Sequence, residues 1–190
     1  MLATALSYGL SGVSGYAVHV EVYAANGLPA LEIIGLPDAS VKESRDRVSA
    51  AIANSGFAMP IARLTVNLAP ADTRKEGPSF DLPIAVCILA ATRQLPAEHL
   101  EEVLLLGELS LDGSLKPVRG ALPMVISASE NGVKEVILPE ATPRKWPASR
   151  ASASTRPEIS PRWSITCAGP RASPSRSSGH TAISSAAPSR

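Results

Sequence analysis

The chain has 190 residues, 45% of them hydrophobic but only 4% aromatic, so one domain of ordinary size must build its core from Ala, Val, Leu and Ile. Two cysteines, Cys87 in an apolar run and Cys167 in a polar, Pro-rich one, exclude a disulfide framework and suit a reducing compartment. With no apolar run near the roughly 18 residues of a membrane helix and no basic leader at the start, a soluble, cytoplasmic protein without membrane contact is expected.

The net charge of +1 hides two opposed halves. Residues 1–142 hold 10 Lys and Arg against 16 Asp and Glu, a balance of −6, and residues 143–190 hold 8 against 1, a balance of +7. Such an asymmetry marks a domain boundary near residue 142.

In the folded part, YAVHVEVYA at 16–24 alternates as a strand with Val18, Val20 and Val22 on one face and His19 on the other. LPALEIIGL at 28–36 repeats the strand signal after Asn26-Gly27, which predicts a hairpin between the two. Ser40 and Glu43 have the spacing of a capping box. The helix expected there buries Val41, Val48, Ala51 and Ile52, turns Lys42, Arg45, Asp46 and Arg47 to solvent, and stops at Gly56.

ARLTVNLAP at 62–70 reads as a strand, and the polar loop ADTRKEGPS leads into FDLPIAVCILAATRQL, an almost uninterrupted apolar helix that tolerates Pro83 in its first turn. EVLLLGELSLDGSLKPV at 102–118 gives two strand runs around Asp112-Gly113, again a hairpin signal. A helix from about Gly120 to Glu130 and a strand, VKEVILP, complete the order β-β-α-β-α-β-β-α-β, which indicates a mixed α/β domain with helices covering a sheet.

From Pro143 onward Ser, Ala, Arg and Pro make up 34 of 48 residues and no period survives, so this segment cannot bury enough surface to fold alone. It is expected to be disordered, as a genuine basic tail, as a linker, or as an out-of-frame continuation, and the abruptness of the change favours the last. A genuine tail would offer seven arginines, one lysine and two tryptophans, Trp146 and Trp163, to nucleic acid.

Four stretches carry a family resemblance: LSGVSGYAVHVEVYAANGLPALEIIGLPDASVKESRDRV, RLTVNLAPADTRKEGPSFDLPIAVCILAA, LLLGELSLDGSLKPVRGALPM and GVKEVILPEA. Together they resemble the amino-terminal domain of the ComM/YifB family of magnesium-chelatase-like AAA+ ATPases. KEGPSFDLPIA followed by GELSLDGSLKPVRG is the most specific part. The resemblance implies a ribosomal-protein-S5-like fold, related to the proteolytic domain of Lon, placed ahead of an ATPase module that uses ATP and Mg. It also implies hexamer neighbours, and DNA as the material on which ComM-type helicases carry out branch migration in competence and recombination.

No GxxxxGK[ST] string occurs in these 190 residues, so the chain is expected to be the accessory domain truncated before its ATPase core, with no cofactor of its own. An acidic domain is not an obvious DNA clamp, so contact with DNA is expected to be indirect.

KEGPS also looks like the segment that presents the catalytic serine of Lon-type proteases, which makes Ser79 a candidate nucleophile. A Ser-Lys dyad needs a neutral lysine in reach. The position that the resemblance assigns to it is occupied by Leu122, and Lys75 and Lys116 are the other lysines near in sequence. The plainer role for Ser79 is to cap the buried helix, with Asp81 favoured at the positive end of its dipole; Asp72, Arg74, Lys75 and Glu76 either contact a partner module or, the favoured reading, are solvated. His19, His99 and His180 are too far apart in sequence to suggest a metal site, and neither cysteine lies in a metal-binding pattern.

Overall fold

The computed structural model describes residues 1–139 and the two-residue strand Thr166–Cys167. Apart from that strand, the segment 143–190, with its tryptophans and His180, lies outside the described residues.

The chain opens with an antiparallel hairpin of β1 (Leu2–Ser11) and β2 (Ser14–Ala25), paired without interruption from Leu2↔Tyr23 to Ser11↔Ser14. β3 (Ala30–Ile34), α1 (Ala39–Asn54) and β4 (Arg63–Ala69) follow, and then α2 (Asp81–Ala91). Three short strands, β5 (Val103–Leu105), β6 (Glu108–Leu109) and β7 (Leu115–Lys116), precede α3 (Ala121–Glu130) and β8 (Glu135–Leu138).

The sheet runs β3-β4-β2-β1-β5-β8, and Thr166–Cys167 (β9) adds a short antiparallel strand outside β8. Around β1 the sheet changes character: β1 is antiparallel to β2 but parallel to β5, meeting it at Leu6↔Leu104. β6 and β7 form a separate hairpin.

Alternation along β1 explains the layering. Ala3 and Ala5 join Val18, Val20 and Val22 against α1 and α2, while Leu6 and Tyr8 join Leu104 and Val136 against Met124, Val125 and Ala128 of α3. Successive strand side chains point to opposite faces, so α1 and α2 cover one side and α3 the other. α2 is buried along its whole length, as its unbroken apolar run predicts, and the fold is mixed α/β.

Several expectations are corrected. The strand over Leu2–Ser11 was not expected at all. Asn26-Gly27 does not make a hairpin, because β4 is inserted between β2 and β3, pairing antiparallel with β2 and parallel with β3. The first turn of α1 is capped by Asp38, whose Oδ1 accepts from Val41 N at 2.7 Å, two residues ahead of the expected Ser40 box. An aspartate in extended backbone serves the same free amides, which is why the pattern was displaced rather than wrong in kind. Val41, Val48, Ala51 and Ile52 are buried, Gly56 is left-handed with φ 87°, and Asp112-Gly113 turns the β6–β7 hairpin, as expected.

Candidate functional site

The two most specific stretches of the sequence meet in space. Pro78–Phe80 forms a single 3-10 turn that runs straight into α2, and Ser79 O accepts from Gly107 N at 3.1 Å while Leu82 N donates to Gly107 O at 3.0 Å. This reciprocal pair fastens KEGPSFDLP to the start of GELSLDG.

Asp81 sits at the centre of the joint, fully buried. Its Oδ2 accepts from Arg47 Nε at 2.7 Å and from Leu109 N at 3.1 Å, and its Oδ1 accepts from Arg47 Nη2 at 3.0 Å and from the Ser44 hydroxyl. The fork of Arg47 matches the two carboxylate oxygens, the geometry in which charge-assisted bonds are strongest. Arg47 Nη2 also donates to Ser40 O at 3.0 Å, and Nη1 lies 3.7 Å from Glu43. Hydrogen bonding to Asp81 raises the Arg47 pKa above its ordinary value against partial burial, with the charges of Asp81, Glu108 and Glu43 adding to it. One carboxylate thus ties α1, α2 and the β6–β7 hairpin together.

Arg47 is therefore not part of a solvated face. Ser44 falls inside the buried stripe of α1 and Arg47 on its margin, a placement visible in the helical spacing from Val41 and Val48 but meaningless until Asp81 is brought across from 34 residues away. Lys42, Arg45 and Asp46 remain exposed.

Lys75 is a second correction: it has no exposed surface, although its loop neighbours Asp72, Arg74 and Glu76 are exposed. Its ammonium donates to Thr73 O at 2.7 Å and to Pro70 O, and its main chain joins the loop to the end of β3 through Lys75 N to Leu36 O and Asp38 N to Lys75 O. Burial lowers the Lys75 pKa, and the charge of Asp72 opposes the shift.

Ser79 is 3% exposed, and it does not cap α2: Phe80 holds the N-cap position with no side-chain hydrogen bond. The main-chain amides at this end are taken up instead by the 3-10 turn and by Gly107. Of the lysines near Ser79 in sequence, Lys75 is held by two carbonyls of its own loop and Lys116 stands exposed on β7 opposite Glu108. Leu122 occupies the second position of α3.

Nor does the Gly-bearing loop form a phosphate cradle. Gly77 N, the amide that an anion would need, already donates to Asp38 Oδ2 at 3.2 Å, and an acidic side chain at that spot repels phosphate. His19 is exposed on the sheet, His99 pairs with Glu102 at 3.2 Å, and among the described residues no three His, Cys, Asp or Glu side chains converge. Cys87 is buried between α2 and the sheet, donating to Ala3 O and Val20 O, and burial pushes its thiol up to about 12.

The family described as "Subunit ChlI of Mg-chelatase" matches residues 20–142, a span that includes both halves of the joint. The chain belongs to this family. Its ChlI-family segment is similar to YifB, an uncharacterized protein of Escherichia coli, with 48% identity over 126 residues, 66% of this chain and 25% of that protein. The competence protein ComM of Haemophilus influenzae is 46% identical over 130 residues, 68% of this chain and 26% of that protein. More distantly, Lon protease 2 of Bacillus subtilis is 28% identical over 146 residues, 70% of this chain and 26% of that protein. The chain spans about a quarter of the length of these curated relatives.

Among the described residues no helix is long and apolar enough to cross a membrane.

Proposed function

We propose that residues 1–142 act as the accessory amino-terminal domain of a Mg-chelatase-like, ComM-type AAA+ ATPase that works on DNA in the cytoplasm. Its role is to pack against the motor and help organise the hexamer. ATP and Mg belong to the motor, and contact with DNA is indirect.

The joint at Asp81 carries this reading. The two segments most specific to the resemblance are spent on fastening three elements through a buried ion pair, which is scaffold chemistry, and the loop amide that could meet a phosphate is occupied by Asp38. Placing residues 1–142 in YifB, in exchange for the matching quarter, should leave whatever ATP hydrolysis and assembly YifB itself shows unchanged, while the 190-residue chain alone hydrolyses no ATP. Turnover by the purified chain near the ordinary enzymatic scale of about 1 per second, or loss of assembly in the exchange, would sink the proposal.

The similarity to a Lon protease favours a second reading, a Ser-Lys peptidase using Ser79. A serine-reactive probe that labels the chain but not Ser79→Ala would establish it. Nucleic-acid binding by the basic tail is a third, distinguished by a steep loss of binding with salt that residues 1–142 do not share.

A further inference from the structure

A segment from far along the chain closes the β8 end of the sheet. Thr166–Cys167 pairs antiparallel with β8, Ile137↔Cys167 and Leu138↔Thr166, although 27 residues, 139–165, separate it from Leu138. The family match ends at residue 142, so this strand lies outside the matched segment.

The outer edge of β8 is free to receive it. Ile137 O accepts from Leu106 N at 3.1 Å and so faces the β5 side. Backbone groups alternate sides along a strand, which turns the amides of Val136 and Leu138 outward, toward β9. Left unpaired, such amides are a template for another chain. In 143–190, where Ser, Ala, Arg and Pro make up 34 of 48 residues, RWSITC is the run that gathers Trp163, Ile165 and Thr166, side chains that favour strands. Pro170, with no amide to donate, limits how far that run can pair.

Charge is matched along the same line. Antiparallel pairing points the chain after Cys167 toward the start of β8. There Glu101 and Glu102 precede β5, Glu130 ends α3 and Glu135 opens β8, and the opposing groups are Lys134 and, where protonated, His99 beside Glu102. From residue 159 onward the chain holds four arginines and no acidic residue.

We propose that the outer edge of β8 is a strand-accepting site whose ligand is this chain's own basic segment, residues 163–176, seated through Thr166–Cys167 and steered by the glutamates at the start of β8. Two residue pairs are too few to close so long a loop unaided, and attraction between Arg171 and Arg176 and the acidic end supplies the remainder. The docked strand keeps the β8 edge from pairing with another chain, so the tail guards the domain. This goes beyond the accessory-domain reading and does not depend on it.

Hydrogen exchange of the full 190-residue chain at low salt, read by mass spectrometry on residues 133–139, tests the proposal. Thr166→Pro with Cys167→Pro removes both amides of β9 and leaves residues 1–139 untouched. Glu101→Lys with Glu102→Lys and Glu130→Lys reverses the acidic end, and Glu32→Lys with Asp46→Lys and Glu76→Lys makes the same change in net charge at exposed positions elsewhere. We expect the wild type and the last variant to exchange alike and the other two at least fivefold faster, with exchange along α2 unchanged in all. Salt at about 0.5 M, where screening acts within about 4 Å, should speed the wild type in the same way without any substitution. Wild-type rates in the proline variant overturn the seating of the segment, and rates indifferent to salt overturn its steering by charge; either sinks the proposal. Wild-type exchange that slows as protein concentration rises makes a second copy the donor of the strand, and overturns it too.

Discussion

Replacing Asp81 by Ala removes both carboxylate acceptors from the centre of the joint while leaving their donors in place. The Arg47 guanidinium, partly buried, loses its bidentate partner, and Leu109 N loses its acceptor inside the protein. Breaking a buried pair from one side costs about 3–5 kcal/mol, and the 20% exposure of the Arg47 side chain places the expectation at the lower end, since water can partly replace the carboxylate. With a urea dependence of about 2 kcal/mol per M, the unfolding midpoint should fall by roughly 1.5–2 M. That is a large part of the total stability of an ordinary domain, about 5–15 kcal/mol. Equilibrium urea unfolding followed by far-ultraviolet circular dichroism reads the shift. Because the penalty arises from stranded donors, Arg47→Met combined with Asp81→Leu should be more stable than Asp81→Ala alone by about 1 kcal/mol or more. A midpoint for Asp81→Ala within 0.3 M of the wild type, on the order of the uncertainty of such fits, would refute the account of the joint.

Two further outcomes follow from the packing and from the buried lysine. Gly15→Ala would set a Cβ 2.7 Å from Met124 Cα, and because that neighbour is backbone, α3 must shift; a loss of about 1–3 kcal/mol should appear as a lower melting temperature. For Lys75 the folded pKa lies below the ordinary 10.5, so between the two values the unfolded chain holds a proton that the folded one has released. Stability contributed through this residue must therefore rise with pH across that window, with the burial penalty fully present below the folded pKa and gone above the unfolded one. The stability difference between the wild type and Lys75→Met, measured by urea unfolding from pH 7 to about 10.5, should shift toward the wild type as pH rises; a flat difference would show that the ammonium is solvated.

Elements whose stability is decided locally or by one uniform environment were legible. α2 could be recognised because nothing polar interrupts it, and the β6–β7 hairpin because Asp112-Gly113 fixes its turn. β1 was missed for a physical reason: as a central strand it is buried on both faces, so Ala3 and Ala5 against one layer and Leu6 and Tyr8 against the other erase the alternation by which a half-buried strand is known. The Asn26-Gly27 signal failed because a turn dipeptide says nothing of whether a later strand will insert between its neighbours. At the candidate site, Ser79 and Asp81 were singled out, but their roles depend on Gly107, Ser44 and Arg47, partners supplied by segments 25 or more residues away. Lys75 reads as a solvated loop charge in the sequence because its acceptors are main-chain carbonyls, which carry no sequence signature.

The central place of β1 has a consequence for how this domain can be made. It begins at residue 2 and its parallel partner β5 ends at residue 105, so during synthesis the first strand to emerge must wait for almost the whole domain before its second edge is filled. The β1–β2 hairpin offers a temporary shelter, yet one edge stays open to any passing strand until Leu104 arrives. The family match begins only at residue 20, inside β2. A fragment cut to that boundary would lose its middle rather than its margin, leaving β2–β4–β3 and β5–β8 as two sheets with nothing between them.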